Sequence, residues 1–195
     1  MTTTGPILQE ASAPPPVDLR AEQKRVRRQA IYAGLVCLLV LVAASFGLPP
    51  WFAFPDEMAE RLAFVLRADL VVALWVVVAI RIVAKIRFES PEDNAGSAFS
   101  PPSPRLAVPA AFLQNTLEQA FIAIVGHLAL ATMPGEAPLA YVVGAVALFC
   151  LGRVTFLRGY PRGAGGRAFG IATTAIPTVG AYAWVLVALV FDLIW

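Results

Sequence analysis

Five apolar stretches, each long enough to cross a lipid bilayer, divide this chain of 195 residues. A helix rises about 1.5 Å per residue, so roughly 20 apolar residues cover a hydrocarbon core about 30 Å thick. The chain is 58% hydrophobic and only 14% charged, whereas a soluble domain carries about 25% charged residues. The sequence therefore predicts an all-α polytopic membrane helix bundle, with spans at about residues 29–48, 62–85, 106–133, 138–157 and 168–195.

A polar arm, residues 1–28, precedes the first span and ends in a basic run. With few large apolar side chains to bury, the arm is predicted to be disordered. The basic run is compatible with nucleic-acid binding, but an apolar span follows at once, which favours a cytoplasmic flank and no nucleic-acid partner. The first span has an alternative interpretation as a signal peptide, because Ala43-Ala44-Ser45 resembles a cleavage site. The long polar arm favours a retained anchor.

The distribution of basic residues predicts the orientation of the chain. All but two of its 15 Lys and Arg residues lie in the arm or in the links that follow spans two and four. Cytoplasmic loops of membrane proteins are enriched in Lys and Arg. We therefore expect a cytoplasmic N-terminus and an outer C-terminus in a membrane predicted to be a bacterial inner membrane. An odd number of spans, here five, also places the two termini on opposite sides of the membrane.

A block of polar side chains, residues 114–119, interrupts the third span. A carboxylate in hydrocarbon costs at least about 2.5 kcal/mol unless something compensates its charge. Asn115 and Glu118 are three residues apart and share a helix face. The block predicts a polar site that faces the interior of the bundle near its cytoplasmic end.

Basic side chains on other spans lie at a matching depth. Arg153 and Tyr160 are seven residues apart on the fourth span, Arg167 opens the fifth, and Arg81 ends the second. One interpretation is that these arginines only set the topology and bind lipid phosphate. The other is that they join Glu118 in binding a small zwitterionic or anionic molecule that enters from the cytoplasm.

The histidine and the two cysteines are predicted to have structural roles rather than catalytic or metal-binding ones. His127 lies nine residues after Glu118 on the opposite side of the helix, and we expect it to form a hydrogen bond between helices. Cys37 and Cys150 lie in separate apolar segments without a CxxC pair, so neither a metal site nor a disulfide framework is predicted.

Four motifs in the same order resemble the MAPEG family (membrane-associated proteins in eicosanoid and glutathione metabolism). They cover about residues 62–195. The sequence from Arg81 to Pro91-Glu92-Asp93 is similar to the segment that follows the family's first helix. The other three are Asn115-x-x-Glu118 in its second helix, Arg153 with Tyr160 in its third, and Arg167 at the start of its fourth.

The resemblance implies a four-helix membrane bundle, assembled as a homotrimer, with span one as an extra N-terminal helix. Active members bind glutathione between subunits and act as transferases, peroxidases or isomerases on lipophilic small molecules. On this basis Arg167 and Tyr160 are the predicted catalytic residues. The predicted glutathione-binding residues are Arg81, Asn115, Glu118 and Arg153.

Departures from the family pattern keep a second function open. Many active members carry an arginine one turn before the Asn-x-x-Glu motif, where this chain has Ala111. The alternative is a non-catalytic scaffold of the same fold that binds lipid or protein. A channel or transporter is disfavoured, because the polar groups cluster at one end of the bundle.

Overall fold

The computed structural model describes residues 17–194, and within that range the chain folds into five α-helices without a strand. The helices are α1 (Leu19–Gly47), α2 (Met58–Glu89), α3 (Pro104–Ala131), α4 (Ala137–Gly159) and α5 (Gly163–Ile194). A single 3-10 turn, Tyr160–Arg162, joins α4 to α5. The prediction of an all-α bundle is confirmed, and each predicted span falls within or close to one of these helices.

Helix α1 begins well before the predicted first span. Asp18 caps the helix, because its Oδ1 accepts a hydrogen bond of 3.1 Å from the backbone N–H of Ala21. Glu22 in the first turn accepts a hydrogen bond of 2.8 Å from the N–H of Gly165. The predicted disorder of the arm is therefore wrong for residues 19–28, which are helical, and residues 1–16 lie outside the described range.

In the part of the chain that the structure describes, three helical stretches are long and apolar enough to cross a membrane: Leu19–Gly47, Met58–Glu89 and Ala137–Phe191. The third stretch takes in α4 and most of α5, whereas α3, which carries the polar block, is not among the three. Large apolar side chains on α1 and α2 point outward, for example Leu39 and Leu70. These surfaces fit a hydrocarbon environment, and the number of five spans remains a prediction.

Helix α4 lies at the centre of the bundle and approaches α5 very closely through glycines. A Cβ atom at Gly152 would lie 2.5 Å from Thr174 Cγ2, and one at Gly170 would lie 2.6 Å from the carbonyl oxygen of Gly152. Gly159 and Gly166 approach each other just as closely nearer the connecting turn. Small residues allow helix backbones to come together in this way. The contact places Arg153 of α4 directly beside Thr174 of α5.

Arg61 joins the start of α2 to the end of α3. Its side chain is buried, and its Nε donates a hydrogen bond of 2.9 Å to the carbonyl of Ala131. Its two terminal nitrogens donate to the carbonyls of Pro55 and Met133. The last carbonyls of a helix lack partners within the helix, and here an arginine satisfies them. Arg61 therefore stabilises this end of the bundle.

The loop between α2 and α3 is closed by Asp93 and Ser103. The Asp93 carboxylate accepts hydrogen bonds from the Ser103 N–H at 2.9 Å and from the Ser103 hydroxyl at 2.7 Å. Ser103 in turn caps α3, because its Oγ accepts from the N–H of Leu106. These bonds, first the backbone one and then the side-chain one, hold the pKa of Asp93 below its ordinary value.

Candidate functional site

Arg153 occupies the centre of a polar network that joins α3, α4 and α5. Its side chain has no exposed surface. One terminal nitrogen donates a hydrogen bond of 2.8 Å to Asn115 Oδ1, and the other donates one of 2.8 Å to Thr174 Oγ. The guanidinium also lies 5.3 Å from the ring centre of Phe149 and 5.1 Å from that of Phe156. A buried charge is tolerable only with such partners.

The predicted pair Asn115 and Arg153 is thus brought together. A carboxamide whose oxygen is held by an arginine presents its NH2 group in the opposite direction. Gln119, one turn further along α3, lies with its Oε1 3.3 Å from Thr174 Oγ. The polar block on α3 therefore has one face directed at α4 and α5.

The predicted catalytic pair, Tyr160 and Arg167, is also in contact. The Arg167 guanidinium lies 4.7 Å from the centre of the Tyr160 ring. The Tyr160 ring packs edge-on against Phe156, with ring centroids 5.5 Å apart. Both residues are half-buried. Phe156 thereby connects this pair to the Arg153 network, so four of the six predicted site residues form one continuous cluster.

Glu118 and Arg81 do not join that cluster. Both side chains are exposed, and within residues 17–194 neither forms an ion pair or hydrogen bond with Arg153. Glu118 accepts a hydrogen bond of 2.7 Å from Gln114, another exposed residue. The expectation that Glu118 faces the interior is wrong for the single chain. Asn115 and Glu118 are separated by about 60° around the helix, which is enough to direct one inward and the other outward.

Thr174 and Phe156 are site residues that the sequence analysis missed. Thr174 is seven residues after Arg167 and nearly aligned with it on α5. A spacing of seven residues indicates two side chains on one helix face, and the same spacing links Arg153 to Tyr160. Phe156 has no polar atom, so nothing in its side chain marked it as a partner of Arg153 and Tyr160.

A second buried polar contact lies away from this cluster. His127 Nδ1 and Asp69 Oδ1 are 2.7 Å apart, and both side chains are almost completely buried. The contact joins α3 to α2, which confirms that His127 forms a hydrogen bond between helices. The second carboxylate oxygen of Asp69 has no hydrogen-bond partner within the described residues. Both cysteines are free, Cys37 buried and Cys150 half-buried.

Comparison with known proteins gives one family and no individual relative. Neither a curated protein nor a solved structure matches the chain significantly. The sequence model of the MAPEG family matches residues 62–187, which include α3, α4 and nearly all of α2 and α5 but not α1. This match covers well over half of the chain, and the four motifs of the candidate site lie inside it. The protein therefore belongs to the MAPEG family and is an integral membrane protein of a group of glutathione-related membrane enzymes.

Proposed function

We propose that this protein is a glutathione-dependent transferase or peroxidase that acts on lipophilic electrophiles dissolved in the membrane. The observation that carries the proposal is the contact between Arg167 and Tyr160 next to the Arg153–Asn115 network, in a chain of this family. A guanidinium and a phenol hydroxyl at one place form a suitable environment for a thiolate.

The site is completed by assembly into a homotrimer. Gln114 and Glu118 are exposed on α3, and Arg81 is exposed on α2. An isolated charge facing lipid at membrane depth costs at least about 2.5 kcal/mol. Contact with a second copy removes these groups from lipid and places them at a subunit boundary. This arrangement explains why the single chain gathers only four of the six predicted residues.

Each residue has a role that follows from its position. Glutathione carries two carboxylates and one ammonium group. Arg81, which is exposed at the end of α2, binds a carboxylate, and Glu118 binds the ammonium group. Asn115 donates its NH2 group to the peptide. Arg153 acts as a positioning residue in the state described, because both of its terminal nitrogens are engaged by Asn115 and Thr174.

The chemistry is an attack by sulfur on an electrophilic carbon. The Arg167 guanidinium favours the charged form of the thiol and so lowers its pKa, and the proton is released to solvent. The Tyr160 hydroxyl donates a hydrogen bond to the sulfur. The thiolate electron pair then forms a carbon–sulfur bond while the leaving group departs with the electron pair of its own bond. Chloride from chlorodinitrobenzene is a convenient leaving group.

The first test is binding of glutathione to the purified protein in detergent, measured by calorimetry at millimolar ligand. We expect saturable binding and conjugation of glutathione to chlorodinitrobenzene. Arg167→Gln should abolish conjugation while leaving binding and oligomeric state largely intact. Arg67→Gln is the matched control. It removes the same charge from an exposed position in the first third of α2, a helix other than the one that carries Arg167. Absence of glutathione binding would refute the proposal.

A second candidate function is a non-catalytic scaffold that binds lipid or protein. It is favoured by Ala111, which provides no cation one turn before Asn115, and by the engagement of Arg153 within the chain. The scaffold predicts co-purification of a lipid or a partner protein that survives Arg167→Gln. Glutathione turnover by the wild type would argue against it.

The topology proposed for this function has five spans in a bacterial inner membrane. The cytoplasmic N-terminus and outer C-terminus rest on the distribution of Lys and Arg. Reporter fusions at the two termini should therefore report opposite compartments. Reporters on the same side would require an even number of spans.

A further inference from the structure

An open cleft of about 710 Å³ lies between the start of α1 and the connection from α4 to α5. Four arginines line it: Arg25 and Arg28 from α1, Arg158 from the end of α4, and Arg162 from the 3-10 turn. None of the residues that line the cleft is a predicted glutathione-site residue, and one wall, α1, lies outside the family match.

Local structure holds the α1 arginines against α5. Glu22 accepts the N–H of Gly165 at 2.8 Å through one oxygen and pairs with Arg25 at 3.2 Å through the other. The aliphatic stem of Arg25 lies flat on Gly165, where an added Cβ would lie 2.5 Å from Arg25 Cγ. Arg28 is one turn further along the same face of α1. Arg25 is therefore held in place on one wall of the cleft, whereas Arg28, Arg158 and Arg162 are exposed.

The charges of the cleft are not balanced by the chain. Glu22 compensates Arg25, but Arg28, Arg158 and Arg162 form no ion pair with the side chains that the structure describes, those of residues 17–191. Like charges that converge on one cleft repel each other, and an anion bound between them removes the repulsion. Guanidinium groups match phosphate oxygens with two parallel hydrogen bonds. Several arginines at once thus indicate a phosphate ligand.

The surroundings of the cleft favour a lipid over a free phosphate. Ile31 and Leu35 follow Arg28 on the same side of α1, and both are exposed apolar residues. Phe169 lines the cleft itself. A molecule with its phosphate among the arginines has an apolar path along α1 for its acyl chains. We propose that this cleft binds the headgroup of an anionic phospholipid at the cytoplasmic face of the membrane.

The test measures phospholipid binding to the full-length protein in nanodiscs that contain phosphatidylcholine with increasing phosphatidylglycerol. The cleft variant carries Arg28→Gln, Arg158→Gln and Arg162→Gln. The control variant carries Lys85→Gln, Arg87→Gln and Arg105→Gln, which remove the same charge beside the loop between α2 and α3, outside the cleft. We expect a preference for phosphatidylglycerol that falls about tenfold or more in the cleft variant and less than about threefold in the control.

Three results would overturn the proposal. Equal losses in the two variants would mean that only the general positive charge attracts anionic lipid. Displacement of phosphatidylglycerol by millimolar inorganic phosphate, with the same dependence on the arginines, would make free phosphate the occupant. If the triple variant fails to assemble, Arg158→Gln alone should lower the preference, and an unchanged preference in that variant contradicts the assignment. Glutathione binding is measured in parallel, so a failure here is distinguishable from a failure of the proposed function.

Discussion

Replacement of Gly170 by alanine tests the close packing of α4 and α5 on which the candidate site depends. An added Cβ would lie 2.6 Å from the Gly152 carbonyl oxygen and 2.7 Å from Phe156 Cα, whereas ordinary contact begins at 3.4 Å. The Phe156 backbone nitrogen lies closer still, so the helices must separate by more than the 0.7–0.8 Å shortfall in these two distances. The neighbouring atoms belong to the backbone and have no rotamer to change.

The expected loss of stability combines two opposing effects. Overpacking a tight interface costs about 1–3 kcal/mol, and the higher helix propensity of alanine returns up to about 1 kcal/mol. We therefore expect Gly170→Ala to lower the free energy of unfolding by about 1–2 kcal/mol. Separation of the helices also moves Arg167 away from Tyr160, so any glutathione conjugation should fall as well.

The assay is reversible unfolding in mixed micelles with increasing denaturing detergent, followed by circular dichroism. Gly47→Ala is the matched control, because a Cβ at Gly47 meets nothing within 4 Å. That variant should be as stable as the wild type or slightly more so. If both variants unfold at the same detergent fraction, the inferred contact between α4 and α5 is absent.

Substitutions at three further contacts test other parts of the structure. Asp69→Leu should cost about 1–3 kcal/mol of stability, because it leaves the buried His127 Nδ1 without its hydrogen-bond partner. Adding His127→Leu should restore much of the loss, and additive effects in this double-mutant cycle would disprove the coupling. Arg153→Lys should lower the free energy of unfolding by about 1–3 kcal/mol in the same assay, since one ammonium group does not replace the two hydrogen bonds to Asn115 and Thr174. A variant as stable as the wild type would contradict the importance of this network. The hydrogen bonds that lower the pKa of Asp93 stabilise its loop fully above about pH 3.9, the pKa of an aspartate in the unfolded chain. This stabilisation is lost as the pH falls through the lower pKa that Asp93 has in the folded protein. Amide hydrogen exchange of residues 90–103 should therefore be slow in the wild type near neutral pH, and this protection should fall in acid. The Asp93→Asn variant should show no such fall, and an identical pH profile in the two proteins would refute the role of the Asp93 carboxylate.

The helices themselves were largely encoded in the sequence. Apolar runs bounded by Gly, Pro and charged residues gave the approximate positions of all five, because the length of such a run directly reflects the thickness it must cross. The start of α1 was misplaced although Asp18 is a local capping signal, and the first turns are also held by Glu22 on Gly165, a contact between residues 143 positions apart. The amino-acid composition of a short segment does not predict a contact with a residue so distant in the sequence.

The site was predictable in its residue types but not in its geometry. Helical spacing placed Arg153 and Tyr160 on one side of the bundle, and both contact Phe156, but it grouped Asn115 with Glu118, which the structure separates. It does not say which face of a helix a neighbouring helix covers, so the outward direction of Glu118 was missed. The complete burial of Arg153 depends on the glycines that bring α4 and α5 together, and spacing on a single helix does not report on a second one.

The bond between Glu22 and Gly165 has a practical consequence for shortened versions of the protein. Residues 62–187 match the family on their own, so truncation ahead of α2 is an obvious route to a smaller protein. Such a chain would lose the carboxylate that holds the first turn of α5, two residues before Arg167. Any loss of activity after truncation would then reflect a loosened turn beside Arg167, even though every residue of the family domain had been kept.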